Sequence, residues 1–188
     1  MLLLVSGTMQ AQLFKSKYSE PAKEYSAGAV PVVNNKVTFE ENIPAEGLSA
    51  GEIEEIAREW VKERFVKPTV ISFKEFEDNI DGTIVGKAEE YIVFKKRFFV
   101  LNRSRIYYYI TLTCNDGSCT FNMSRITYWW DDEAEDGGFK LKAEECITDA
   151  AALDEKGRME RFNGKFRTKT IDLKDLLVKE LTNRLSKK

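Results

Sequence analysis

The sequence predicts an α+β fold, with an antiparallel sheet of about five strands and helices packed on one of its faces. Three observations lead there. A capped, amphipathic helix follows the first strand-like run. Further strand-like runs then succeed one another with turn signals between them. A leucine-lined helix closes the 188-residue chain. The order is β-α-β-β-β-β and then a helix, and no internal repeat is visible.

The chain opens on MLLLVSGTMQAQLF, which carries no charged side chain. Leu2 to Val5 form an apolar block, Ser6, Gly7 and Thr8 are small, and Ala11 suits the last position before a cleavage site. Residues 1–11 therefore read as the remnant of a secretory signal peptide, with Gln12 starting the mature chain. The basic n-region is missing and the apolar run is short, so an ordinary N-terminal strand is the alternative. SKYSEPAKEYSAG, residues 16–28, is polar and contains Pro21, which makes residues 12–29 an expected linker.

The main domain is expected over residues 30–130. In VPVVNNKVTFEEN, Val37 and Phe39 alternate with Lys36, Thr38 and Glu40, the pattern of a half-buried strand. Ser49 and Glu52 have the spacing of a capping box. Ile53, Ile56, Ala57, Trp60, Val61 and Phe65 follow at three- and four-residue steps and give one apolar face, until Lys67-Pro68 stops the helix. Strand-like runs then occupy 69–76, 83–94, 104–114 and 119–130, with Asp81-Gly82 and Asp116-Gly117 as turns. In SRIYYYITLTC, Ile106, Tyr108, Ile110 and Leu112 point one way, toward the helix. Tyr107, Tyr109, Thr111 and Thr113 point the other way, onto an outer sheet face.

Residues 131–188 form a C-terminal extension expected to pack on the same domain. It begins with the acidic loop DDEAEDGG, continues through an expected short strand at 139–146 and an expected helical turn at 150–155, and ends in a helix. Asp172 is the expected cap of that helix, with Leu173, Leu176, Leu177, Leu181 and Leu185 along one face.

Composition excludes several functions. The chain has 29 basic and 31 acidic side chains and a formal charge of −2, which does not suit general binding to nucleic acid through displaced phosphate counterions. It has no histidine, which removes Ser-His-Asp and Cys-His catalysis and the commonest zinc ligand. After the opening block no apolar run approaches the ~20 residues needed to span a bilayer. No phosphate-cradling glycine loop, metal quartet or nucleophile elbow is present, so no cofactor and no enzymatic activity are expected.

Cys114 and Cys119 flank Asn115-Asp116-Gly117-Ser118 and face one another across a predicted hairpin. A disulfide between them, with Cys146 left over, and three reduced thiols are the two readings.

KVTFEENIPAEGLSAGEIEEIAREWVKERF, the TIVGKAE strand and YYYITLTCNDGSCTFNMSRITYWW together resemble a family of exported Bacteroidetes proteins. That family is a domain of unknown function with a TATA-binding-protein-like (TBP-like) fold. The resemblance covers about residues 32–130 and extends weakly to EECITD and the last helix. Gln10-Ala11-Gln12 matches the end of the family's usual signal peptide. The resemblance implies a curved sheet with helices on its convex side and an address in the periplasm or cell envelope. It brings no activity with it, and the fold name does not imply DNA binding.

Each candidate site has a structural alternative. Tyr107, Tyr109 and Trp129, with Tyr108 and Trp130 beside them, would form an aromatic platform for a sugar or a partner protein, or else pack beneath the C-terminal extension. Lys95, Lys96 and Arg97, with Arg103 and Arg105, would meet phosphate or acidic glycan groups, or simply be a solvated hairpin loop. Asp131, Asp132, Glu133, Glu135 and Asp136 offer calcium ligands but lack EF-hand spacing. The expected function is a non-enzymatic binding or protein-interaction module of the cell envelope. It would use its open sheet face, with an envelope protein or glycan as partner. The alternatives are an accessory subunit of an envelope complex, or a glycan hydrolase with two carboxylates hidden among the acids.

Overall fold

The structure is a computed structural model. It describes residues 17–76, 82–97, 100–135 and 137–186, and the side chains at 95–97, 100 and 101 are outside that description. The signal-peptide reading of residues 1–11, the first part of the expected linker, and Asp136 of the acidic loop lie outside the described residues.

The described chain runs β1 (Tyr18–Ser19), a short 3-10 turn (Lys23–Tyr25), β2 (Val32–Val33), β3 (Lys36–Pro44) and α1 (Ala50–Arg64). Then come β4 (Val70–Glu75), β5 (Thr83–Arg97), β6 (Val100–Asn115) and β7 (Ser118–Trp130). The last part holds β8 (Phe139–Lys142), α2 (Ala143–Cys146), α3 (Asp149–Ala152), β9 (Met159–Glu160) and α4 (Arg161–Leu185). The main sheet is antiparallel in the order β2-β3-β7-β6-β5-β4, and β8 joins it beside β7. It has seven strands, not five.

The two extra strands have local causes. VPVVNNKV does not stay extended. Asn34 and Asn35 both take left-handed backbone (φ 50° and 59°), and Val33 pairs with Lys36 across them. Asparagine tolerates that conformation at the centre of a tight hairpin, so β2 folds back on β3. β8 is the first half of the expected 139–146 strand, and its second half is α2.

α1 begins as predicted. The Ser49 hydroxyl accepts from the Glu52 N–H at 3.4 Å, and the Glu52 carboxylate accepts from the Ser49 N–H at 3.0 Å. Its apolar face buries Ile53, Ala57, Trp60 and Val61 against the sheet residues Ile106, Tyr108, Ile110 and Leu112. α4 lies beside α1 on the same face. It starts at Arg161, well before the expected cap at Asp172, because Glu160 accepts from the N–H groups of Phe162 (2.8 Å) and Asn163 (2.7 Å). Asp172 instead accepts the Tyr25 hydroxyl at 2.7 Å. Leu177, Leu181 and Leu185 are buried as expected, whereas Leu176 is exposed.

Residues 17–29, expected as a linker, are bound to the domain. β1 pairs with β9. The fully buried Arg167 donates to the carbonyls of Tyr25 (2.8 Å), Ser26 (2.5 Å) and Ile147 (2.7 Å) and to Asp149 (2.7 Å). One guanidinium thus ties α4 to both the N-terminal segment and the α2–α3 connection, using donors that would be costly to bury unpaired.

A bulge in β7 sets up the site. Tyr107 pairs with Thr127 and Tyr109 with Ser124, so Tyr108 faces two residues, Arg125 and Ile126. Arg125 has φ 52°. Before the bulge the buried residues are Cys119, Phe121 and Met123, and after it they are Ile126 and Tyr128. Without the extra residue, plain alternation would turn Arg125 toward the helices.

Candidate functional site

Both major helices cover one face of the sheet, which leaves the other face without a helical layer. Its residues follow from strand parity and register. Lys87, Tyr109 and Ser124 form one row across the strands. Glu89, Tyr107, Thr127 and Lys142 form the next, and Tyr91, Arg105, Trp129 and Lys140 the third. Tyr107, Tyr109 and Trp129 are half-buried, and they line one cleft of about 640 Å3 together with Lys87, Arg125, Thr127 and Lys140. It exceeds the clefts of about 250 Å3 beside Met159 and about 280 Å3 between Trp60 and Arg184.

The other two predicted aromatics are elsewhere. Tyr108 is fully buried on the helix side, where its hydroxyl donates to Glu90. Glu90 also receives Arg64 Nη2 on both oxygens, at 3.0 and 2.9 Å. Burial, and then the neighbouring Glu90 carboxylate, hold the Tyr108 phenol well above its usual pKa. Trp130 packs edge-on against Phe162 of α4, with ring centroids 5.2 Å apart.

The aromatic rings of the open face are dressed with cations. Lys140 lies 4.8 Å from the Trp129 ring centroid and Arg105 5.3 Å from it. Arg125 lies 5.0 Å from the Tyr109 ring, which also stacks on Phe76 at 5.8 Å. Lys87 stands 5.9 Å from the Tyr107 ring. Such contacts hold a cation in place at a cost in desolvation smaller than that of a buried ion pair. Burial, and then the Glu89 carboxylate, raise the Tyr107 phenol, so it stays a neutral hydroxyl at physiological pH.

The predicted basic cluster divides. Lys95, Lys96 and Arg97 sit at the end of β5, and their side chains lie outside the described residues. Arg103 and Arg105 do reach the open face, but the acidic loop neutralises them. Arg103 pairs with Glu133 at 2.7 Å, and Arg105 pairs with Asp132 at 2.5 Å and with Glu89 at 3.0 Å. Those carboxylates push the Arg105 guanidinium above its ordinary pKa. The loop is pinned further by the Trp129 indole N–H, which donates to the Gly137 carbonyl at 2.7 Å. Among the described residues no group of three or more acids, cysteines or histidines is placed to hold a metal ion.

Sequence reasoning missed Lys87, Lys140 and Arg125. Lys87 and Lys140 were accessible in principle, since each alternates outward in its strand. Arg125 was not, because its direction depends on the bulge.

Cys114 and Cys119 pair in register across the β6–β7 hairpin, and both stand as buried thiols, as does Cys146. The Cys114 N–H donates to the carbonyl of Gly82, just before β5, at 2.7 Å, so the two cysteines form a pair not hydrogen-bonded through their backbones.

The comparisons with known proteins agree with this architecture. A family profile for a domain of unknown function (DUF4468) with TBP-like fold matches residues 39–129. The chain is also similar to the crystal structure of a DUF4468 family protein from Bacteroides ovatus, with TM-score 0.78 and 32% sequence identity, over 88% of this chain and 95% of that one. The chain belongs to the DUF4468 family. The similarity to a TBP-like protein from Parabacteroides distasonis has TM-score 0.66 and 19% identity, over 84% of this chain and 97% of that one, and concerns the fold alone. No curated protein matches the chain. As a DUF4468 protein it has the TBP-like curved antiparallel sheet with a C-terminal helix, and its bulge, Arg125 and the open-face aromatics all fall within or at the edge of the matched 39–129 segment. No described helix is long and apolar enough to cross a membrane.

Proposed function

We propose that this DUF4468 protein is a non-enzymatic binding module of the cell envelope, and that its ligand or partner lies on the open sheet face around Tyr107, Tyr109 and Trp129. One observation carries the reading. A face without a helical layer holds a cleft of about 640 Å3 in which aromatic rings are half-buried beside cations that no described acid neutralises. Concave surfaces with convergent polar groups and aromatic walls are where ligands bind. The envelope address is supported by the signal-like pattern of residues 1–11.

The reading is tested by cross-linked capture from native envelopes with the mature chain and a Tyr107→Ala/Tyr109→Ala variant. A partner captured by the first and lost by the second supports the open face. A partner held equally by both moves the contact elsewhere. The accessory-subunit reading has its own supporting observation, the exposed Val32 and Val33 of edge strand β2. A partner lost on Val32→Lys/Val33→Lys but kept by the tyrosine variant would favour it.

A further inference from the structure

We infer that the open-face cleft takes an acidic oligosaccharide, whose carboxylate or sulfate groups are met by Lys87, Arg125 and Lys140; the inference rests on the open-face reading above.

The charges on this face are unequally used. Arg103 and Arg105 are matched by Glu133, Asp132 and Glu89. Lys142 faces Glu145 at 3.8 Å. Lys87, Arg125 and Lys140 line the same cleft, and among the described residues each has an aromatic ring beside it but no acidic partner. On a chain with formal charge −2, that is a local surplus of positive charge. It is also a positioned surplus, since the rings orient the ammonium and guanidinium groups without neutralising them.

Arg125 adds a second, independent observation. It is a non-glycine residue in left-handed backbone at a strand bulge. Such a conformation persists only where the surroundings enforce it, and bulges commonly re-aim a side chain beside a binding site. Here the result is a guanidinium over Tyr109 instead of one turned toward the helix-covered face.

The rest of the face narrows the ligand class. Thr111 and Thr113 on β6, and Thr127, Ser124, Asn122 and Thr120 on β7, continue from the cleft toward the hairpin end. They offer hydroxyl groups to a polyhydroxylated chain, while the Asn122 amide donates to Glu40 at 3.3 Å. A single-stranded polynucleotide needs free ring faces for its bases. The Trp129 ring already has two cationic neighbours, and the Tyr109 ring has Phe76 and Arg125. An acidic peptide binding as a strand needs an unpaired sheet edge. This cleft lies over β6, whose two edges are both paired, to β5 and to β7.

The test is calorimetric titration of the protein with galacturonic acid hexamer, sulfated maltohexaose, plain maltohexaose, a thymidine hexanucleotide and hexaglutamate. At least one acidic hexasaccharide is expected to bind, more weakly as salt rises, and plain maltohexaose at least about tenfold more weakly. The carboxylated and sulfated probes distinguish which acid group is read. Arg125→Ala and Lys140→Ala are each expected to weaken binding by about tenfold. Lys62→Ala, on the solvent side of α1, is expected to leave it unchanged. Unchanged thermal unfolding of each variant separates lost contacts from lost structure. The inference is overturned if neither acidic saccharide binds, if plain maltohexaose binds equally well, if the charge variants bind like the native protein, or if the hexanucleotide or hexaglutamate binds more tightly. None of these outcomes touches the open-face reading, which fails only in the capture experiment with the tyrosine variant.

Discussion

Phe73 of edge strand β4 lies across Gly86 of β5 so closely that a Cβ on Gly86 would fall 2.2 Å from the Phe73 ring. Phe73 in turn stacks on Phe65 at the end of α1, with centroids 4.1 Å apart. Gly86→Ala is therefore expected to destabilise the protein by about 1–3 kcal/mol through overpacking, seen as a lower urea midpoint. Adding Phe73→Leu should return part of the loss. If the double variant is no more stable than Gly86→Ala alone, the contact is not the cause.

Arg64, Glu90 and Tyr108 form a buried polar group between α1 and the sheet, with Arg64 and Glu90 each 2% exposed. Removing Glu90 would leave the buried Arg64 only the 3.5 Å contact of its Nε with Glu180. Glu90→Ala should cost about 3–5 kcal/mol. Tyr108→Phe, which removes one hydrogen bond to that carboxylate, should cost about 1–3 kcal/mol. Chemical denaturation of the two variants checks the ranking.

High pH should unfold the protein through its phenols. Tyr108 and Tyr128 are raised above their usual pKa chiefly by burial, and Tyr25 is raised to about 12 chiefly by its hydrogen bond to Asp172. In each case the unfolded chain releases its proton first. The stability they confer is full below pH 10 and declines above it, toward the folded-state values. For fully buried Tyr128 the decline is about 1.4 kcal/mol per pH unit. Cys146, pushed up to about 12 by burial, adds a decline that begins near pH 9. Denaturation midpoints measured from pH 8 to 11 should show a smaller fall for Tyr128→Phe than for the native chain.

Arg167 supplies two of the hydrogen bonds that hold residues 17–29 to α4, beside those of Asp172 with Tyr25 and of Arg161 with Lys17. Arg167→Met would leave the buried carbonyl of Ile147 and the part-buried carbonyls of Tyr25 and Ser26 short of a donor and should cost about 3 kcal/mol. Limited proteolysis should then cut within residues 17–29 at protease levels that spare the native protein. Tyr25→Phe, which loses only the bond to Asp172, should cost about 1 kcal/mol.

The register of Cys114 and Cys119 suits a cross-strand bridge. Treatment of the folded protein with diamide should join these two sulfurs with loss of two hydrogens, the diamide being reduced, while Cys146 is left as a thiol. Peptide mapping by mass spectrometry checks the pairing, and a Cys146-containing bridge would contradict it.

Local signals were legible in the sequence and nonlocal ones were not. The Ser49–Glu52 cap and the alternation of Ile106, Tyr108, Ile110 and Leu112 depend on near neighbours and appear as read. Tyr107 and Tyr109 fall on the open face for the same reason, whereas Trp129 faces outward only because the bulge shifts the alternation of β7. The Asn34-Asn35 turn was local too, but it was hidden inside a valine-rich run that suits extended chain. The start of α4 was obscured by Gly164, which is there because Met159 occupies the space a side chain would fill. The neutralising of Arg103 and Arg105 by a loop beyond β7, and the outward turn of Arg125, depend on register across strands. No window of sequence displays that.

The bulge gives β7 two reading frames, one on each side of Arg125. In the first the odd-numbered residues face the core, and in the second the even-numbered ones do. Removing one residue from the second half would turn part of the strand inside out, exchanging members of the core with Thr127 and Trp129. For this strand the count of residues matters more than the identity of most of them, so single-residue insertions and deletions there should be tolerated less well than substitutions at the same positions.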